Sequence, residues 1–107
     1  MKKVYIASPY TRGDISTNIK FQTNIADELI KLGYTPFIAL SSHFKYLCHS
    51  SLYDKWVGLD SEWVKCCDCV LRVGGVSLGA DKKTWFAKKH DIPVFYSIVE
   101  MERYYNN

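Results

Sequence analysis

DCVLRVGGVSLGADKKTWFAKKHDIPVFYSI (residues 68–98) decides the fold. Residues 68–73 are a short, β-rich apolar run, read as a strand. Glycines 74, 75 and 79 then make a small-residue turn. Residues 79–91 read as a helix, with Trp85, Phe86 and Ala87 as its apolar part. "IPVFYSI" (92–98) reads as the next strand. A strand, a helix and a strand in that order make a crossover unit, which places the two strands parallel.

The same alternation extends towards both ends. "KKVYIAS" (2–8) reads as a buried strand that stops at Ser-Pro, with the loop 9–14 after it. Asp14 is placed to cap a helix in which Ile15, Ile19, Ala26, Leu29 and Ile30 share roughly one face. Gly33 ends that helix as its C′ residue. "YTPFIAL" (34–40) is a second strand, and Pro36 assigns it to an edge or a strand start. Residues 41–52 read as an irregular connection. Residues 53–67 read as a helix, from the spacing of Trp56, Leu59 or Asp60, and Trp63. "VEMERYY" (99–105) closes the chain as a short helix. The expected fold is therefore α/β: a small parallel sheet of four to five strands covered on both faces, in one domain spanning 1–107.

Composition narrows the partners. Fourteen basic against eleven acidic side chains give a charge of +3, too little for a dedicated duplex nucleic-acid binder. An acidic small molecule such as a nucleotide suits this balance better. The cysteines at 48, 66, 67 and 69 lack a second ligand pair at zinc spacing beyond Cys48 and His49, so no metal is expected. Segment 66–69 precedes and enters an apolar run, so Cys66, Cys67 and Cys69 are better explained as buried reduced thiols. No membrane partner and no cofactor are expected, and the cytosol is the default compartment. The terminal Tyr104 and Tyr105 favour burial at a contact between copies, so a homo-oligomer is expected.

In open parallel sheets ligands bind beyond the carboxyl ends of the strands, where the strand order reverses. Loops 8–14, 41–44 and 74–80 should converge there. Gly74, Gly75 and Gly79 would let backbone approach a ligand, and the helix start after them favours an anion.

Three stretches, "VYIASPYT", "DSEWVKCCDCVLRV" and "SLGADKKTWFAKKHDIPVFY", together resemble the nucleoside 2-deoxyribosyltransferase-like superfamily. The resemblance covers nearly the whole chain. It implies a flavodoxin-like, Rossmann-like sandwich and cleavage or transfer at the bond between a base and deoxyribose. By that resemblance Ser8, Tyr10 and Arg12 belong to a nucleotide loop and His43 to the pocket. Asp60 matches an aspartate of the family, while Ser77 and Gly79 fall in the turn that grips phosphate or sugar.

The family's pattern places a nucleophilic glutamate six residues after the turn serine. In this chain that count reaches Lys83. An ammonium opposes the positive charge that develops on the sugar, and Lys83, near a helix N-terminus, would instead attract a ligand's phosphate. Asp81 lies about 200° away around the helix and does not substitute without a rearranged backbone. The expectation is a binding protein that sequesters a nucleotide or nucleotide signal intact, a role useful to a phage against host defence. The alternative is an active N-glycosidase or deoxyribosyltransferase using Asp60 or Asp81. Blander readings stand beside both. Lys82 and Lys83 can be a solvated helix face, Asp60 a surface acid, and His43 a satisfied loop histidine. Tyr10 can cover the sheet edge, Ser8 can cap its loop, and Trp56 and Trp63 can be core.

Overall fold

The computed structural model describes residues 1–9, 13–38, 59 and 61–106. Tyr10, Arg12, His43, Cys48, His49, Trp56 and Asp60 lie outside the described residues. So do the loop 41–44 and the connection 41–52.

Four parallel strands are present: β1 (Lys3–Ala7), β2 (Thr35–Ile38), β3 (Cys69–Arg72) and β4 (Val94–Phe95), in the order β2-β1-β3-β4. Helix α1 (Ile15–Lys31) joins β1 to β2, α2 (Leu78–Lys89) joins β3 to β4, and α3 (Ile98–Tyr105) follows β4. Residues 61–65 are also helical. This is the flavodoxin-like, doubly wound arrangement. β1 and β3 are central, so both their faces must be covered. Val4 to Ala7 and Cys69 to Leu71 are accordingly all buried, which is why each reads as an unbroken apolar run. One core joins Val4, Ile6 and Leu71 to Ala26 and Leu29 of α1 and Met101 of α3. The other joins Tyr5, Ala7 and Val70 to Val64 and to Ala80 and Ala87 of α2. β2 is an edge strand, consistent with Pro36, which sits opposite Val4 without an N–H to donate.

Helix α1 starts as expected. The Asp14 carboxylate accepts from Thr17 Oγ at 2.6 Å and from the Ser16 N–H at 3.3 Å. Gly33, past its end, adopts φ +91°, a conformation that favours glycine. The Thr17 hydrogen bond is the main cause that holds the Asp14 carboxyl below its ordinary 3.8. Its folded pKa is thus the lower one. The stabilisation is present above the unfolded value and lost as pH falls through the folded one. In denaturation series, the stability gap between the wild type and Asp14→Asn is expected to narrow as pH drops below 3.8.

Several expectations are corrected. Ile19 and Ile30 are exposed, and the buried positions of α1 are Gln22, Ala26 and Leu29. The buried stripe runs along the i, i+4, i+7 positions, with polar Gln22 included because its amide reaches Pro9 O at 3.3 Å. On α2 the buried residues are Ala80, Thr84 and Ala87, and Trp85 points outward. Small residues let that helix lie close to the sheet. The strand expected over 92–98 is only Val94–Phe95, because Ser97 Oγ accepts from Glu100 N–H at 3.1 Å and starts α3. Trp63 is half exposed, stacking on Phe37 at 5.3 Å at the core's margin. Tyr105 is engaged within the chain, against Phe95 at 5.8 Å and under Lys2 at 5.0 Å.

Cys66, Cys67 and Cys69 are free thiols, but the burial expected of all three holds fully for Cys69 alone: Cys67 is half-buried and Cys66, in the turn before β3, is exposed. Burial pushes the Cys67 and Cys69 thiols up to about 11, so they stay protonated at neutral pH. Among these three, Cys66 is exposed and should react first. Iodoacetamide labelling at pH 7.5 followed by peptide mass spectrometry is expected to modify Cys66 well before Cys67 or Cys69. Equal rates at all three would contradict the burial.

Candidate functional site

From the sheet's middle, β1 connects towards β2 and β3 towards β4, so the direction of winding reverses between β1 and β3. The crevice outside their carboxyl ends is where such folds bind ligands.

Arg72 organises this edge. It is the last residue of β3 and only 9% exposed. Its Nη1 donates to Val73 O and its Nη2 to Gly75 O, both at 2.7 Å. Its Nε donates to Asp81 Oδ1 at 3.2 Å, completing an ion pair with the first turn of α2. A guanidinium carries N–H groups in a rigid planar fork, which suits holding two carbonyls and a carboxylate at once. The turn therefore has a fixed shape before any ligand arrives.

Gly74 sits at the inner side of that turn with φ +86°. A Cβ there would lie 2.7 Å from Pro9 Cδ and 3.4 Å from a ring carbon of Phe21. The close approach that its glycine permits is to Pro9 of the neighbouring strand end. Gly75 and Gly79 meet no such crowding: a Cβ on Gly75 has nothing within 4 Å, and one on Gly79 only Ser77 Oγ at 4.0 Å. Ser77 Oγ caps α2, accepting from Ala80 N–H at 3.2 Å. Ser8 Oγ is buried at the end of β1 and has no hydrogen-bond partner among the described residues.

A cleft of about 650 Å³ opens beside these strand ends. One wall is Phe21, Ile25 and Glu28 of α1, the floor is Arg72 to Gly74, and the far side is Asp81 with Tyr96 to Val99. It is apolar along most of its length, with Arg72, Asp81 and Glu28 as its charged groups. Asp81 reaches it and Lys83 does not line it, although the two are separated by one residue. Lys83 is half-buried on α2.

Of the site residues expected from sequence, Ser8, Gly75, Ser77 and Gly79 occupy the carboxyl edge, with Asp81 on the cleft. Arg72, Glu28 and Ser97 are additions that the sequence reading does not contain. A signal for Arg72 does exist: it is the charged member of the run 69–72, whose other residues are all apolar. Among the described residues, no group of three His, Cys, Asp or Glu side chains is placed to hold a metal ion. No helix among them is long and apolar enough to cross a membrane.

A family model described as a domain of unknown function, DUF7768, matches residues 2–97. The chain belongs to the DUF7768 family. No curated protein matches its sequence. Among solved structures it is similar to a 2-deoxyribosyltransferase from the psychrotolerant bacterium Bacillus psychrosaccharolyticus. The identity is 19% and the TM-score 0.61, over 90% of this chain and 75% of that one. The likeness is one of fold, and it agrees with the sandwich that the sequence resemblance implies.

Proposed function

We propose that this chain binds a nucleoside- or nucleotide-like molecule at the carboxyl edge of its sheet and holds it without breaking its glycosidic bond. One observation carries the reading: at the reversal point of a deoxyribosyltransferase-like fold, Arg72 ties the turn and Asp81 into a preset cleft. The apolar walls, including Phe21, suit a base or sugar face, and the charged end suits its hydroxyls. Ser8 Oγ, buried without a partner among the described residues, is a further group that a ligand could satisfy.

Retention in place of cleavage follows from charge. Breaking the bond builds positive charge on the sugar, which an unpaired carboxylate would stabilise. Asp81 already carries the Arg72 guanidinium on Oδ1, and the position six beyond Ser77 is Lys83. A protein that holds such a molecule intact removes it from solution, which makes sequestration its role. Assembly into a homo-oligomer belongs to the same proposal: Tyr104 is 60% exposed on α3, and light scattering after size exclusion measures the state.

One observation favours a second reading, in which the chain is an N-glycosidase: Asp81 lines the cleft. There its carboxylate would attack the anomeric carbon, the base would leave with the bonding electrons and take a proton from solvent, and water would hydrolyse the ester. Titration calorimetry against a panel of nucleosides, nucleotides and cyclic nucleotide signals, with chromatography of the recovered ligand, separates the two. Binding with intact ligand is expected. Release of free base that disappears in Asp81→Asn establishes the second reading, and binding of no panel member overturns both.

A further inference from the structure

The outer face of α2 carries side chains that the cleft does not use. Leu78, Lys82, Trp85 and Lys89 follow one another at helical spacing, opposite the buried Ala80, Thr84 and Ala87. Leu78 is 72% and Trp85 64% exposed. The Lys89 ammonium lies 5.0 Å from the Trp85 ring centroid. Alongside, Lys88 Nζ donates to Tyr96 Oη at 3.0 Å and stands 5.6 Å from that ring, which is also exposed. Each of the two open aromatic rings thus carries an ammonium. The acid of this helix, Asp81, is engaged by Arg72.

We infer that this face binds a single-stranded polynucleotide. Its two ingredients, open rings and lysines, are the stacking platform and the phosphate contacts that such strands need. The order matters as much as the content. Trp85 stands between Lys82 and Lys89 along one stripe, an interleaving that matches bases alternating with phosphates. An anionic lipid surface instead favours apolar residues segregated on one face and basic residues on the other. A second copy packed across a two-fold axis here would set this lysine-bearing face against the same face, and like charges repel. A duplex hides its base faces, which leaves the rings without a partner. Trp85, Lys82 and Lys89 do not line the cleft, whereas Tyr96 lies on its far side, so the stripe on α2 borders the proposed small-molecule site and Trp85 is the ring that belongs to this surface alone.

Fluorescence anisotropy of the full chain with a labelled oligothymidylate of roughly twelve nucleotides tests it. Binding to the single strand is expected to exceed binding to a duplex of the same length. Trp85→Ala should weaken it at least about fivefold, while Trp85→Phe should retain most of it. Trp85 is exposed, so the alanine variant should fold, and circular dichroism checks that. Lys82→Ala with Lys89→Ala should flatten the log–log salt dependence by ~1.4, about 0.7 for each phosphate that is no longer neutralised. Asp81→Asn should leave oligonucleotide binding unchanged whether or not it alters nucleoside binding, so the two proposals fail separately. The inference is overturned by any of three results. These are no anisotropy change at low salt, full binding by folded Trp85→Ala, or capture by phosphatidylserine vesicles without oligonucleotide binding.

Discussion

Arg72→Leu is expected to destabilise the protein by about 3 kcal/mol, measured by urea denaturation. The leucine fits a buried strand end but removes the donors for Val73 O and Gly75 O at once. It also removes the cation beside Asp81. Both bonds are part-buried, so the carbonyls left behind are only partly compensated by water. In a domain of this size the loss corresponds to a fall in Tm of roughly 10–20 °C. Asp81→Asn should be far milder, within about 1 kcal/mol, because the Asp81 side chain is 63% exposed and water screens its share of the pair. Arg72→Lys should fall between them, since one ammonium cannot reach three acceptors in the fork's geometry. Wild-type stability in Arg72→Leu would show that these bonds do not hold the turn. Nucleoside binding should fall with Arg72→Leu too, as the floor of the cleft loses its shape.

Gly74→Ala is expected to cost about 2–4 kcal/mol, from two additive causes. The φ of +86° is strained for any residue with a Cβ, by about 1–2 kcal/mol. The new methyl would also stand 2.7 Å from Pro9 Cδ, and a proline ring cannot swing aside as a long side chain could. Pro9 is itself buried, and its carbonyl accepts from Gln22 Nε2, so relief would have to move the end of β1 against α1. Gly75→Ala is the control. It adds the same methyl one residue along, where nothing lies within 4 Å, and should change stability by no more than about 0.5 kcal/mol. Parallel denaturation curves of the two variants decide the matter. Equal losses would mean that backbone entropy, and not the contact with Pro9, sets the requirement for glycine.

The cleft is only partly legible in the sequence. Asp14, Ser77 and Gly33 announce helix ends because capping is local chemistry, settled by residues two or three positions apart. Trp85 misleads, since an aromatic ring suggests burial, yet the small Ala80, Thr84 and Ala87 are what bring α2 close to the sheet. Tyr96 and Ser97 read as strand because β-rich composition gives no warning that a serine will cap the next helix.

The sequence alone determined that apolar runs alternate with capped helices. Strands separated by helices have the crossovers that parallel pairing requires, and parallel strands need cover on both faces, so the layered architecture was already implied. The tertiary structure alone decided that β1 and β3 lie side by side. It also decided that Arg72 meets Asp81 nine residues on and that Gly74 meets Pro9, just past the end of β1. Those meetings depend on where α2 lands after folding back over the strand ends, and no spacing along the chain encodes the direction in which a side chain finally points.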